Sequence, residues 1–543
     1  MASREGDVPN KYETVLEDLG DNVHKFETDP LGWILDYAFT LPPTLNPYRA
    51  STHHPSDDNS TNEGPTFYLA FAESTRQRDS AWTDIQVLGQ ASPASSLGEK
   101  SQVLDGRRQL SLHAWRVFHN QTTRCSIHGF HIYGRHVELW VFDRSGAYTN
   151  KSFDIDSDAD RVLRVIAGYA LMNKSELGIN PCIHTDGLGG FVQIRKASDG
   201  EFARLFLEDL PIRKFPSIVY SGPTCYRARR SQSEDFTFVV KFAWRRVDQT
   251  AEEDITGLVQ KRNVWGVVRL FGHLSVTSID ELRHGLDFSH CRVLSLGEHI
   301  SIDRQTTLSV ANPSDKYVNS VNANFCCVAI SPVGRPMQEY TSSSEILEAF
   351  RDIAKGHHSL YFDGQILHRD VSKDNIMISI SPHGHGPRGF LIDLDVAQRL
   401  DKDEPKEGSR FGTRPFMAIG VLLAQKHTYK PDLESLFYCF LWTAICGKGN
   451  QWPPTDSKLW AWFRGSFKEC ALRKSRDMDV AGFEGVLEEF SEDFVPHKGL
   501  ARALWKLFFP HQGDLLVASR AEVSSDPFVL YRAVAEAFDQ ALL

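Results

Sequence analysis

The sequence predicts an α+β fold in which a sheet-rich part precedes a larger helical part, behind an α/β lead-in. Three observations predict it. Between 107 and 175 a helical stretch (110–119) leads into strand-like runs at 125–133 and 136–142, the turn Asp143-Arg144-Ser145-Gly146 and a helix over 159–172. From about 215 β-branched and aromatic runs come first, as at 236–242. Beyond about 410 the pattern is mainly helical. The divisions implied are an N-terminal extension with a polar linker (1–65) and the α/β lead-in domain (66–208). A sheet-rich part (209–335, with an insertion near 283–323) and a helical part with a C-terminal helical tail (336–543) follow.

Within the extension, Trp33, Ile34, Tyr37 and Ala38 share a helical face, and the run STHHPSDDNSTNEG at 51–64 is too polar to fold alone. Short runs from 182 to 207 read as hairpins, with Gly189-Gly190 and Asp199-Gly200 as turns. The stretch 251–261 is helical. Ser342 and Glu345 form a capping box that opens a helix to about 361, with Ile346, Ala349, Phe350 and Ile353 on one face. Cys326-Cys327 lie in an apolar strand and read as small core residues.

Composition excludes several classes. At about 150 residues per domain, the 543 residues suggest three to four domains or two large ones. Hydrophobic residues at 41% and charged ones at 24% exclude collagen-like, coiled-coil and globally disordered chains. Lys and Arg number 60 against 70 Asp and Glu, a net charge of -10 without the basic field that holds phosphate backbones. No nucleic-acid partner is expected. The longest apolar run, 436–442, falls far short of the ~20 residues of a membrane helix, so no membrane span is expected. The charged first 25 residues and nine scattered cysteines without a CxxC pair fit an intracellular location, cytoplasmic, nuclear or both.

The stretch 366–395 carries the chemistry. It reads ILHRDVSKDNIMISI, a turn-rich loop at 381–388, then GFLIDLD. Two short strands (376–380 and 390–392) make a hairpin, with Asn375 just before the first and Asp393 just after the second. An antiparallel hairpin places its entry and exit about one strand spacing, ~4.8 Å, apart. One amide oxygen and one carboxylate thus come together, a donor set that suits Mg²⁺ completed by water and phosphates. Asp370, five residues before Asn375, then faces an incoming hydroxyl, as phosphoryl transfer requires.

The HRDxxxxN loop and the acidic motif after it resemble the protein-kinase signature set, and the wording HRDVSKDNIMI…GFLIDLDVA resembles the fungal-type protein kinases. Further elements follow in order. Residues 412–420 (GTRPFMAIG) are similar to the end of a Ser/Thr kinase activation segment, and 432–442 (DLESLFYCFLW) to the helix after it. Ser331-Pro332-Val333-Gly334 sits where the hinge belongs, and 137–146 (VELWVFDRSG) resembles the family's lead-in. The resemblance covers about 65–447 and implies a bilobal protein-kinase-like fold, with its N-lobe at 209–335 and its C-lobe from 336. It also implies ATP and Mg²⁺ as cofactors and a protein as substrate.

Residue by residue, the resemblance makes Asp370 the catalytic base and Asn375 and Asp393 the magnesium ligands. It makes Lys241 the grip on the α- and β-phosphates, with Glu253 or Glu252 as its ion-pair partner. Gly222 and Thr224 fall in the phosphate-covering loop. Asp432 would brace the catalytic-loop backbone, and Thr413 would bond Asp370.

Some departures support a second reading, a pseudokinase scaffold that binds nucleotide weakly or not at all. Only Gly222 stands where several glycines are usual, and Pro223 after it has no N–H. Ser372 replaces a lysine that neutralises the transferring phosphoryl group, with Lys373 as the nearest cation to take its place. Leu394-Asp395 replaces Phe-Gly, where Asp395 either adds a carboxylate near the metal or caps the next turn. Gly420 replaces a glutamate that rigidifies the activation segment.

Overall fold

The computed structural model describes residues 48–51, 67–71, 82–92, 99–214, 218, 223–247, 249–283, 292–294, 296–299, 307–310, 322–380, 386–402, 408, 410–509, 511–512, 515–516 and 526–543. The helical patch at 33–38, the polar run at 52–64, Gly222 and most of the insertion at 283–323 lie outside them.

The first sheet comprises β1 (Tyr48–Ser51), β2 (Phe67–Phe71), β3 (Ile85–Ser92), β4 (Ser126–Tyr133), β5 (His136–Asp143), β6 (Gly146–Thr149) and β7 (Phe153–Asp154), the last pairing with β5. Its pairings are antiparallel except β3–β4, where the crossover is helix α1 (Glu99–Asn120). Leu110, Ala114 and Val117 of α1 bury against Ile85, Leu88, Ile127, Trp140 and Phe142 of the sheet. Helix α2 (Ala159–Leu171) follows.

The second sheet contains β8 (His184–Asp186), β9 (Gly189–Lys196), β10 (Phe202–Leu207), β11 (Thr224–Arg229), β12 (Phe238–Arg246) and β13 (Arg269–Ser278), with helix α3 (Glu252–Lys261) between the last two. Helix α4 (Ile279–Leu282) follows β13. Next, β14 (Arg292–Leu294) returns to pair with β6 and extends the first sheet to eight strands. Strand β15 (Ala323–Ser331) then runs between β12 and β13. The order β10-β11-β12-β15-β13-β9 closes on itself, because β9 pairs with both β13 and β10. Gly272 allows the closure: a Cβ there would sit 2.3 Å from the Arg195 carbonyl oxygen.

This pairing corrects the expected domain division. The strands from 184 to 207 hydrogen-bond into the second sheet, so a boundary at 208 would cut one sheet in two. Strand pairing joins residues far apart in sequence, and a local pattern does not say which sheet a strand enters.

Strand β16 (Gly334–Pro336) precedes the long helix α5 (Ser343–Phe362), whose N-cap hydroxyl of Ser342 accepts Glu345 N at 3.1 Å. The expected capping box is half made: the Glu345 carboxylate turns instead to Thr341 N at 2.6 Å and to Arg335 at 2.7 Å. Strands β17 (Ile376–Ser379) and β18 (Gly389–Leu391) form the expected hairpin. It presses on α5 so closely that a Cβ at Gly389 would lie 2.6 Å from the Ala349 carbonyl oxygen. Helices α6 (Tyr429–Cys446) and α7 (Phe467–Asp477) follow the hairpin. One apolar core joins α3, α5, the hairpin and the helices after it, including Ile255, Ile353, Ile376, Leu391 and Phe437. Cys326 and Cys327 are buried, as expected.

Candidate active site

Backbone bonding closes the mouth of the β17–β18 hairpin: Ile392 N donates to the Asn375 carbonyl at 3.0 Å. Asn375 and Asp393 therefore stand side by side where the spacing placed them. The Asn375 side-chain N–H₂ donates to the Asp370 carbonyl at 2.9 Å and to its carboxylate at 3.0 Å, which leaves the amide oxygen for a cation. The other Asp370 oxygen accepts Thr413 N at 2.8 Å and the Thr413 hydroxyl at 2.9 Å. Burial pushes the Asp370 carboxyl above its ordinary range, and the Asp393 charge adds to the rise against the Thr413 bonds and His368.

The loop that carries Asp370 is held in a strained shape. Arg369 and Asp393 both lie in the left-handed region, at φ 65 and 66, unusual for residues with a Cβ. Asp432 in α6 supplies the restraint. Its carboxylate accepts His368 N at 3.0 Å and Arg369 N at 3.1 Å, and the ring nitrogens of His357 and His427, each at 2.8 Å. Burial alone would raise this carboxyl, but the two histidines hold it well below its ordinary range. His368 in turn places an imidazole nitrogen 3.0 Å from the Ile392 carbonyl, just before Asp393.

Lys241 in β12 reaches into the same mouth from the second sheet. Its three ammonium hydrogens meet three carboxylates: Asp393 at 2.8 Å, Asp395 at 2.7 Å and Glu252 at 2.9 Å. Burial would discharge the lysine, yet Asp393, Asp395 and Glu252 hold it charged well above its ordinary range. Against the upward push of burial, Lys241 pulls Asp393 down to about 2. Glu252 and Asp395 are both pushed up, by burial first and then by the neighbouring carboxylates. Ligand oxygens of Glu252, Asp393 and Asp395 lie within 4.8 Å of one another, an acidic cluster of the kind that takes a cation.

The structure corrects part of the expected site. Glu253 faces Arg245, 3.6 Å away, and Glu252 pairs with Lys241 instead. Consecutive helical residues point about 100° apart, so only one of the two can face the strand. Thr224 is buried at the start of β11, and its hydroxyl donates to the Thr122 carbonyl at 3.3 Å, bonding toward the first sheet's region rather than a phosphate. Gly222 lies outside the described residues. Lys373 pairs with Asp374 at 2.9 Å and lies over the Trp452 ring. Ser372 is fully buried, and its hydroxyl has no partner among the described residues.

The segment around Gly420 is anchored by groups that sequence reading missed. Glu434 in α6 accepts Ile419 N at 2.8 Å and the Tyr438 hydroxyl at 2.8 Å. Lys474 in α7 is completely buried and donates to the Met417 carbonyl at 2.7 Å, its ammonium 3.8 Å from the Tyr438 ring centroid. Gly420 therefore does not leave the segment unsupported. Burial lowers the Lys474 pKa to about 7 despite nearby Cys470 and Glu434. A lysine whose pKa is ~10.4 when unfolded and about 7 when folded binds more protons unfolded between those values, so stability rises with pH across that window. Lys474→Met is expected to flatten the rise, read as apparent Tm between pH 7 and 10; equal slopes for both proteins would contradict it.

No helix of the described residues is long and apolar enough to cross a membrane. No curated protein is matched by this chain. A family model described as fungal protein kinase matches residues 67–444, a span that holds Lys241, Glu252, Asp370, Asn375, Asp393, Thr413 and Asp432. With most of its length covered, the chain belongs to the fungal protein kinase family.

Proposed function

We propose that this protein transfers the γ-phosphate of ATP, with Mg²⁺, to serine or threonine hydroxyls of a protein substrate. The observation that carries the reading is the mouth of the β17–β18 hairpin. There Asp370 is fixed between Thr413 and Asn375, beside Asp393 and its bond to Lys241. In this reading the ring of strands around β12 is the N-lobe, and α5 with the helices after it is the C-lobe. The first sheet is the lead-in domain. The protein acts inside the cell on a protein partner, without nucleic acid or membrane.

The donor set fits the cofactors. The Asn375 amide oxygen and the Asp393 carboxylate are hard oxygen ligands of the kind Mg²⁺ takes, and Lys241 is a buried, charged donor for phosphate oxygens. Bound Mg²⁺–ATP supplies the phosphoryl group and neutralises its charge. The chain's own residues do the rest. Lys241, held charged by Glu252, Asp393 and Asp395, would bind phosphate oxygens of the nucleotide, and Asp370 would orient the acceptor hydroxyl and receive its proton.

Lys241→Ala is expected to weaken Mg²⁺–ATP binding by about tenfold or more, the value of a lost hydrogen bond between charged groups. Calorimetric titration of the full chain checks this. A wild-type chain that binds no Mg²⁺–ATP would overturn the reading and favour a scaffold.

A further inference from the structure

Helix α8 (Pro527–Ala541) lies outside the residues that match the family, yet one of its side chains connects to the loop that carries Asp370. The helix packs along α5: Phe538 stacks on Phe350 at 5.9 Å, and Arg351 bonds Asp539 at 3.2 Å. Tyr531, 3% exposed, places its hydroxyl 2.7 Å from Nδ1 of His357. Nε2 of the same ring is 2.8 Å from Asp432.

The donor count at Asp432 gives this contact its meaning. One carboxylate oxygen takes His357 and His368 N, and the other takes His427 and Arg369 N. An ionised carboxylate only accepts, so His357 must present its N–H at Nε2. In the neutral ring Nδ1 is then an acceptor and needs a donor opposite it. The Tyr531 hydroxyl is that donor, and burial holds its proton on well above the ordinary tyrosine range. With the proton on Nδ1 instead, His357 would turn a lone pair toward the carboxylate, and Asp432 would lose one of its four donors.

We infer that Tyr531 is a positioning residue for the loop of Asp370. Its O–H occupies Nδ1 of the ring whose Nε2–H Asp432 demands, which holds His357 in place within the donor set of Asp432, and Asp432 holds the backbone of His368 and Arg369. The effect on rate rests on the kinase reading; the bond from Tyr531 to His357 does not.

The test compares full-length Tyr531→Phe, which removes only the hydroxyl, with Phe538→Leu, which loosens the same helix without touching the bond. In ¹⁵N-histidine NMR spectra the wild type and Phe538→Leu should show Nδ1 of His357 shifted by a hydrogen bond, a signature that Tyr531→Phe loses. In transfer assays Tyr531→Phe should lower kcat about fivefold or more, the worth of one hydrogen bond, with the KM for ATP unchanged and Phe538→Leu near wild type. An unchanged His357 signature in Tyr531→Phe overturns the inference. So does a changed signature with kcat intact, or an equal loss of kcat in Phe538→Leu. If the wild type transfers no phosphate, the kinase reading fails, and the Nδ1 signature of His357 alone decides the inference.

Discussion

Asp370→Asn is expected to slow phosphoryl transfer about 100- to 10,000-fold, the range for loss of a positioned general base. Mg²⁺–ATP affinity should stay within about twofold, because Lys241 and Asp393 are untouched and the Asn375 amide keeps its bond to the backbone carbonyl of residue 370. Stability should change little. The asparagine oxygen keeps both Thr413 donors, while its N–H₂ meets the N–H₂ of Asn375, a mismatch that costs about 1 kcal/mol. Replacing a carboxylate whose burial disfavours its charge offsets part of that cost. Equal transfer by mutant and wild type would remove Asp370 from the mechanism. The pH profile carries the same information. Asp370 accepts a proton only when ionised, and its pKa is raised, so transfer should fall away with acid at a pH above the ordinary aspartate range of ~3.9. Steady-state kcat between pH 4 and 8 checks it.

The largest loss of stability is expected from Asp432→Asn. Four donors converge on this 1%-exposed carboxylate, and an asparagine turns an N–H₂ toward two of them. Breaking a buried charged network costs about 3–5 kcal/mol. At about 2–4 °C per kcal/mol for a unit of 150–250 residues, the apparent Tm should fall by roughly 6 °C or more. The pH dependence follows from the sign of the shift. Asp432 has a folded pKa well below its unfolded value, so its stabilisation is complete above ~3.9 and is lost as pH falls through the folded value. The gap between wild type and mutant should therefore stay constant from pH 8 to 5 and narrow only in acid. A melting series that shows no gap at pH 7 would contradict the role given to Asp432.

Residues close in sequence were the legible ones. The five-residue offset from Asp370 to Asn375, and the turn between two apolar runs before Asp393, placed three groups of the site because a hairpin fixes geometry locally. Thr413 and Asp432 were read through resemblance, and the structure puts both on the expected partners. What escaped depends on contacts across long sequence separations. Closure of the second sheet through β9 brings 195 to 273, and Tyr531 meets His357 across 174 residues. The choice between Glu252 and Glu253 turned on the rotation of one helix, which two adjacent acids do not reveal. Lys474 was illegible for another reason: a lysine in an amphipathic helix reads as solvent-facing, and only the aromatic rings and the Met417 carbonyl around it explain its burial. Asp395 shows the converse. Its motif left a carboxylate near the metal and a turn cap both open, and its carboxylate is one of three on Lys241.

The central claim is that the hairpin mouth performs phosphoryl transfer to a hydroxyl. Its most direct test incubates the purified full-length chain with γ-labelled ATP and a generic protein acceptor, with Mg²⁺ and with the metal chelated. The account predicts Mg²⁺-dependent label on serine or threonine that disappears with Asp370→Asn. Bound Mg²⁺–ATP with no label on any acceptor, itself included, would contradict it.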